Sequence, residues 1–263
     1  MTSVSHRKAR KAALAPLTAW EEKRLRHGFL GRLGGVSRGE FAELNFSYLV
    51  GDDKVAVDEN WRRFRELLPA AASVAQLHQV HGDVVRCVAG GEKGVLGQGD
   101  GLVTASPDVA LCVLSADCVP ILMADLESSV VAAIHAGWRG VMADIATAGV
   151  RAMVAAGASP NRIRAALGPA IGACCFEVDE DLAERFRNRF AGASNHILEG
   201  KPGKGFIDLK AILRDRLTAS GVAADAITSV GPCTRCASDR YFSRRATKDG
   251  RMGLQVSYVV LNG

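Results

Sequence analysis

The sequence predicts one α/β domain, and three observations lead there. The 263 residues are 48% apolar, enough to bury a full core. Short β-branched runs fill the middle of the chain, and stretches of helical period lie on either side of them. No internal repeat or convincing linker divides the sequence.

In chain order, residues Trp20 to Arg26 are expected to form a short helix ended by Gly28. Residues 1–27 then read as an N-terminal extension, a basic tail plus that helix, ahead of the main body at 28–263. Gly31 to Ser37 is a Gly-rich turn with neither a Walker lysine nor a dinucleotide fingerprint. Val55, Val57, Trp61, Phe64, Leu67 and Leu68 recur at near-helical spacing and predict an amphipathic helix over 54–68. Strands are expected at Val84 to Val88, Val109 to Leu114, Val119 to Met123 and Val130 to Ile134. Gly90 to Gly101, with six glycines in twelve residues, reads as a loop. A helix should run from Gly140 through Ala156, followed by a strand at Ile163 to Leu167. Residues 178–190 and 208–219 read as helices joined by a Gly/Lys-rich loop. A strand near Ile227 and a closing strand from Leu254 to Leu261 complete the pattern.

Charge and cysteine usage narrow the functional classes. Of the net +5, Arg7, Lys8, Arg10 and Lys11 supply four, so the body lacks the spread basic surface of a duplex binder. Nucleic acid is therefore not an expected partner. No apolar run approaches the ~18 residues of a membrane span, and no apolar segment with a cleavage site follows the basic start. Neither a membrane nor secretion is expected. Seven cysteines, an odd number in a chain too long to need stapling, read as free thiols in a reducing cytoplasm.

His81, Cys118 and His135 constrain the chemistry most. On the element assignment, His81 precedes a strand, Cys118 sits in a break between two strands, and His135 ends another. Two imidazoles and a thiolate form a known catalytic zinc set whose fourth position is left for water or substrate. Spacing alone leaves open that the three are unrelated. Gly82, Ala116, Ala136 and Gly137 leave room beside each, while Trp138 and Arg139 offer a stacking surface and an anion clamp. His78 is a lesser candidate; His27 and His196 have no supporting context. Cys233-Thr234-Arg235-Cys236 has the C-x-x-C spacing, but Cys174-Cys175 is no recognised second pair, so coincidence is the expected reading. Arg240, Arg244, Arg245 and Arg251 are equally a phosphate-binding cluster or a solvated loop.

Several segments together resemble the YfiH family. They are Gln79-Val80-His81-Gly82, Ala116-Asp117-Cys118, His135-Ala136-Gly137-Trp138-Arg139-Gly140, Gly168-Pro169-Ala170-Ile171-Gly172 and Phe242-Ser243 with Arg244-Arg245. Departures from the family pattern fall at Gly31, Ser47, Trp61 and the Ser243-Arg244 junction. Members carry the names laccase domain protein, polyphenol oxidase and purine nucleoside phosphorylase. The resemblance implies a layered sandwich of central mixed β-sheets flanked by helices, similar to the catalytic domain of cytotoxic necrotizing factors. It implies that His81, Cys118 and His135 are both the catalytic set and the metal ligands, for zinc or alternatively copper. It further implies phosphorolysis of adenosine, inosine and methylthioadenosine, with deamination of adenosine. Arg139, Arg245, Arg251 and Asp117 are then the expected substrate-binding residues, with Asp117 or Asp100 to orient a ligand or transfer a proton, in a cytoplasmic monomer whose partners are purine nucleosides and phosphate. Rival readings are a copper-dependent phenol oxidase, a metal-free Cys118–His135 hydrolase acting in peptidoglycan editing, and a non-catalytic nucleoside binder. Six histidines are far too few for a blue-copper centre plus a three-copper cluster.

Overall fold

Strands whose side chains alternate between two buried faces organise the molecule. The structure, a computed structural model, describes residues 14–190 and 192–263. The basic residues Arg7, Lys8, Arg10 and Lys11 lie outside the described residues. The first part of the chain forms β1 (Leu25–Phe29), α1 (Lys54–Arg65), β2 (Ser73–His78), β3 (Val85–Cys87), β4 (Gly94–Gln98) and β5 (Gly101–Thr104). The middle forms β6 (Val109–Ser115), β7 (Val119–Asp125), β8 (Val130–Ala136), α2 (Trp138–Met142), α3 (Ile145–Ala155) and β9 (Arg164–Leu167). The last part adds β10 (Glu177–Asp179), α4 (Glu180–Arg189), β11 (Ile197–Glu199), β12 (Lys204–Ile207), α5 (Leu209–Ala219), β13 (Ile227–Ser229) and β14 (Gln255–Leu261).

Two mixed sheets, ordered β1-β14-β6-β2-β4 and β13-β9-β7-β8-β5-β3, stack face to face, and a small β10-β12-β11 sheet stands apart. The period of two decides which layer each residue joins. On β7, Leu122 and Ala124 pack between the large sheets, whereas Ile121 and Met123 face the helices. On β14, Val259 and Leu261 join the inter-sheet core, while Val256, Tyr258 and Val260 turn towards α1. The result is four layers: α1, the five-stranded sheet, the six-stranded sheet, and α2, α3 and α5. Because β7 and β8 are buried on both faces, they read in sequence as nearly continuous apolar runs rather than alternating ones. The expected mixed α/β sandwich is what forms.

Helix α1 starts where the Asp53 carboxylate accepts the Val55 N–H at 3.0 Å. It buries Val57, Trp61 and Phe64, and the Trp61 indole donates to the Phe46 carbonyl at 2.9 Å. Truncating Phe64 would cost on the order of 3–5 kcal/mol as a core cavity.

Four local expectations need correction. The short helix at Trp20 to Arg26 is absent: Leu25–Phe29 is a strand, paired antiparallel with β14 from Leu25↔Leu261 to Phe29↔Ser257. That ladder outweighs a local helical pattern. Leu17 forms an isolated antiparallel bridge with Phe29 at the end of that strand. Gly90 to Gly101 is no plain loop, since Gly94–Gln98 pairs parallel with β2. The Gly/Lys-rich connection before α5 contains β11 and β12. The helix expected from Gly140 to Ala156 breaks at Asp144, whose φ of 69° ends α2 and whose carboxylate takes a bidentate pair from Arg216. Among the described residues no helix is long and apolar enough to cross a membrane.

Candidate functional site

The ends of β2, β6, β7 and β8 gather at one rim of the stacked sheets, and the three singled-out side chains meet there. In the β7–β8 hairpin, Pro120 pairs with His135 and Val119 with Ala136, which sets Cys118 beside the residues that follow His135. His81 reaches the same point from the turn after β2. The Gln79 side chain takes the place of a strand there: its amide donates to the Leu114 carbonyl at 2.7 Å and accepts the Leu114 N–H at 2.8 Å. That pairing fixes the turn on β6. His81 itself holds φ at 62°, a left-handed conformation uncommon for a side chain of its size.

Donor atoms of His81, Cys118 and His135 all lie within 4.8 Å of one another. The two imidazoles meet edge to face, with centroids 4.9 Å apart. Gly137 is required beside His81 and Cys118, because a Cβ there would stand 2.8 Å from the His81 ring and 3.0 Å from the Cys118 sulfur.

Asp100 supports the cluster from beneath. Fully buried, it lies just before β5 and accepts from His135 Nδ1 at 2.9 Å and from the backbone N–H groups of His81 (2.9 Å) and Gly82 (2.7 Å). Burial works to raise the pKa of this carboxyl, but the bonds from His135 and the two amides prevail and keep it below the usual range. Asp100 thereby holds the proton of His135 on Nδ1 and leaves Nε2 as the donor atom facing Cys118. Burial likewise opposes ionisation of Cys118, yet the charge of His135 and hydrogen bonds from both imidazoles overcome it and bring the thiol down to about 6. His135 moves the opposite way: burial lowers it, while the Cys118 thiolate and Asp100 together raise it well above an ordinary imidazole. Without an ion, the pair is a thiolate–imidazolium couple.

The cluster opens into a cavity of about 1000 Å³. Phe46, Tyr48, Trp138 and Phe176 give it aromatic walls, and Arg244 and Arg245 stand on its rim. The Ser115 hydroxyl, at the end of β6, lines the cavity and is buried without a hydrogen-bond partner. Of the expected substrate-binding residues, Asp117 and Arg245 reach this cavity, and Arg139 and Arg251 do not. Arg139 is exposed with its guanidinium 4.3 Å from the Trp138 ring, and Arg251 pairs with Glu40 at 2.7 Å. Both carboxylate oxygens of Asp117 are taken, one by the Thr234 hydroxyl (2.6 Å) and one by the Arg245 N–H (2.7 Å). Asp117 is thus a brace for the arginine loop. Arg245 spends one guanidinium nitrogen on the Glu177 carbonyl at 2.8 Å. Sequence reasoning missed Ser115, and no motif marks it; only the strand parity of β6 could have shown that it faces the cavity.

Among the described residues the cysteines form a second cluster. Cys174, Cys175, Cys233 and Cys236, whose spacing was expected to be coincidental, have all four sulfurs within 4.8 Å of one another.

A four-layer α/β sandwich with an imidazole–thiolate cluster at the rim of its sheets defines the class of molecule. The chain belongs to the sequence family described as multi-copper polyphenol oxidoreductase laccase, which it matches over residues 26–262. It is 42% identical to a purine nucleoside phosphorylase of Deinococcus radiodurans over 228 residues, covering 86% of each chain. It is 38% identical to the purine nucleoside phosphorylase ORF3 of Streptomyces griseus, over 85% of this chain and 90% of the relative. Among solved structures it resembles a hypothetical protein YfiH of Bacillus licheniformis, with a TM-score of 0.86 at 30% identity, covering 90% of this chain and 93% of that one. The expected YfiH-type fold and kinship therefore stand.

Proposed function

We propose that this protein is an enzyme, a purine nucleoside phosphorylase, with His81, Cys118 and His135 as its metal ligands and catalytic set. The observation that carries the reading is the convergence of those donors, braced by Asp100, at the base of a cavity with aromatic walls and a cationic rim. The names borne by relatives at 42% and 38% identity support the same activity.

The donors fit a divalent ion. His135 is fixed to present Nε2, Cys118 is readily ionised, and three protein donors leave a position towards the cavity. Zinc is the ion we expect, and bound there it would supply Lewis acidity beside the scissile bond. The chain's own groups do the positioning. Arg244 and Arg245 neutralise the incoming phosphate at the rim and hold it for attack on the ribose anomeric carbon. The free Ser115 hydroxyl is placed to take a sugar hydroxyl, which would satisfy its lone buried donor. Phe176 and Trp138 flank the base and exclude water. The bond to the purine nitrogen breaks as the phosphate oxygen bonds to carbon, and the proton lost by phosphate passes to the leaving base, giving free base and ribose 1-phosphate. Adenosine, inosine and methylthioadenosine are the proposed substrates, with deamination of adenosine as a second activity. A cytoplasmic monomer is the proposed setting.

Purified protein with adenosine and phosphate, analysed by mass, tests this. Adenine and ribose 1-phosphate should accumulate only when phosphate is present, and inosine would report the deamination. Absence of every product from a panel of purine nucleosides would refute the proposal. The metal-free thiolate–imidazolium couple favours one other reading, a Cys118–His135 hydrolase. Protein purified without added metal would then lack a bound ion yet remain active. Copper, which outcompetes zinc at such ligands, would instead show as phenol oxidation.

A further inference from the structure

The four-cysteine cluster lies outside the His81–Cys118–His135 site, and its case is independent of the proposed phosphorylase activity. Two loops build it. The first follows β9 and turns at Gly172, where the Cys175 and Phe176 N–H groups both donate to the Gly172 carbonyl at 2.9 Å. The second follows β13 and turns at Cys233, where the Ala237 N–H donates to the Cys233 carbonyl at 3.0 Å. That turn brings Cys233 and Cys236 to one side. The loops run side by side, with Ala170 bridging Cys233 and the Thr234 N–H donating to the Ala170 carbonyl at 3.0 Å.

All four cysteines are free. Cys236 Sγ lies 3.7 Å from Cys174 Sγ and 3.4 Å from Cys175 Sγ. Thiolates ~2.3 Å from a tetrahedral zinc stand about 3.8 Å from one another, so these two separations are already close to an edge of that tetrahedron. Two donors also point at sulfur: the Gly172 N–H reaches Cys233 Sγ at 3.3 Å, and an Arg235 guanidinium nitrogen lies 3.5 Å from Cys175 Sγ. Such donors offset the negative charge that four thiolates leave after a divalent ion is neutralised.

We propose that Cys174, Cys175, Cys233 and Cys236 bind one zinc ion as a closed, four-ligand structural site. Uptake replaces each thiol S–H bond by a Zn–S bond, passes the proton to solvent and moves no electrons. Its place in the fold assigns its role. Ile171 and Phe176 flank the first loop and line the large cavity, and the second loop leads to Arg244 and Arg245 on the rim. Apart from the bridge at Ala170, neither loop belongs to a sheet at this point, so an ion joining them would hold one wall of the cavity in place.

The test uses the full chain carrying His81→Ala and Cys118→Ala, which removes two of the three donors at the other cluster. Metal analysis should find about one zinc per chain, and cobalt in its place should give the thiolate-to-cobalt charge-transfer absorption of a tetrahedral tetrathiolate site. Adding Cys236→Ser should remove both. A folded double variant without metal, whose four cysteines all react with iodoacetamide, would overturn the proposal. So would an intact mass showing these cysteines joined as disulfides.

Discussion

The two sulfur-bearing clusters differ in donor number, closure and support. One gathers two imidazoles and a single thiolate at the ends of strands, over a carboxylate that fixes the ring tautomer, with one side open to a cavity. The other gathers four thiols from two loops, with backbone and guanidinium donors directed at two of the sulfurs. Three ligands and an opening suit a reactive site, and four ligands suit a structural one. On the proposed reading the scaffold presents the same element chemistry differently: sheet ends hold three donors open to a cavity, whereas two loops bring four thiols together.

The largest effect expected is from Cys118→Ala, which should reduce purine release to background while circular dichroism stays that of the native fold. Unchanged turnover would make the open cluster no more catalytic than the closed one. Next comes Asp100→Asn, which keeps the shape but removes the charge that orders His135. It should lower zinc affinity or kcat/KM by about 10–100-fold, measured by competition with a chelator and by initial rates. No change would mean that the buried carboxylate is not what distinguishes this cluster from the other.

The pH dependence of alkylation sharpens the contrast further. In metal-free protein, Cys118 reacts as its thiolate, so its rate should rise through about pH 6, well below the ordinary thiol value near 8.5. The sign follows from the partner: an imidazolium favours the anion, so lowering the pH through 6 protonates the sulfur and silences it. His135→Ala removes that charge and should move the midpoint upward, as mapped by mass spectrometry of the modified peptide. A midpoint still near 6 would assign the shift elsewhere. The smallest effect expected is from Cys236→Ser, a fall in Tm of several degrees. Each kcal/mol lost moves a domain of this size by roughly 2–4 °C.

How much of this was legible in the sequence follows the same division. The open cluster could be read because each member sits in a short run dense with glycine and alanine, and because strand ends are where sheets present reactive groups. The buried runs at Val119 to Met123 and Val130 to Ile134 also declared themselves, since burial on both faces leaves them uninterrupted by polar residues. The four-thiol cluster did not, because no local spacing relates Cys174 to Cys236. Only the parallel course of two loops some sixty residues apart brings them together. Nor did Leu25–Phe29 announce itself as a strand: its partner, Gln255–Leu261, lies at the other end of the chain. Arg139 and Arg251 lie outside the cavity lining for a related reason. Residue type shows what can bind phosphate, but Trp138 and Glu40 decide where those guanidiniums rest.

The most direct test of the central claim is the rate of ribose 1-phosphate formation from adenosine and phosphate in protein stripped of metal, before and after zinc is returned. Stripped protein should be inactive and zinc should restore it, while the Cys118→Ala protein stays silent under both conditions. Full turnover in the stripped protein, or in that variant, would contradict a reaction built on the His81–Cys118–His135 set.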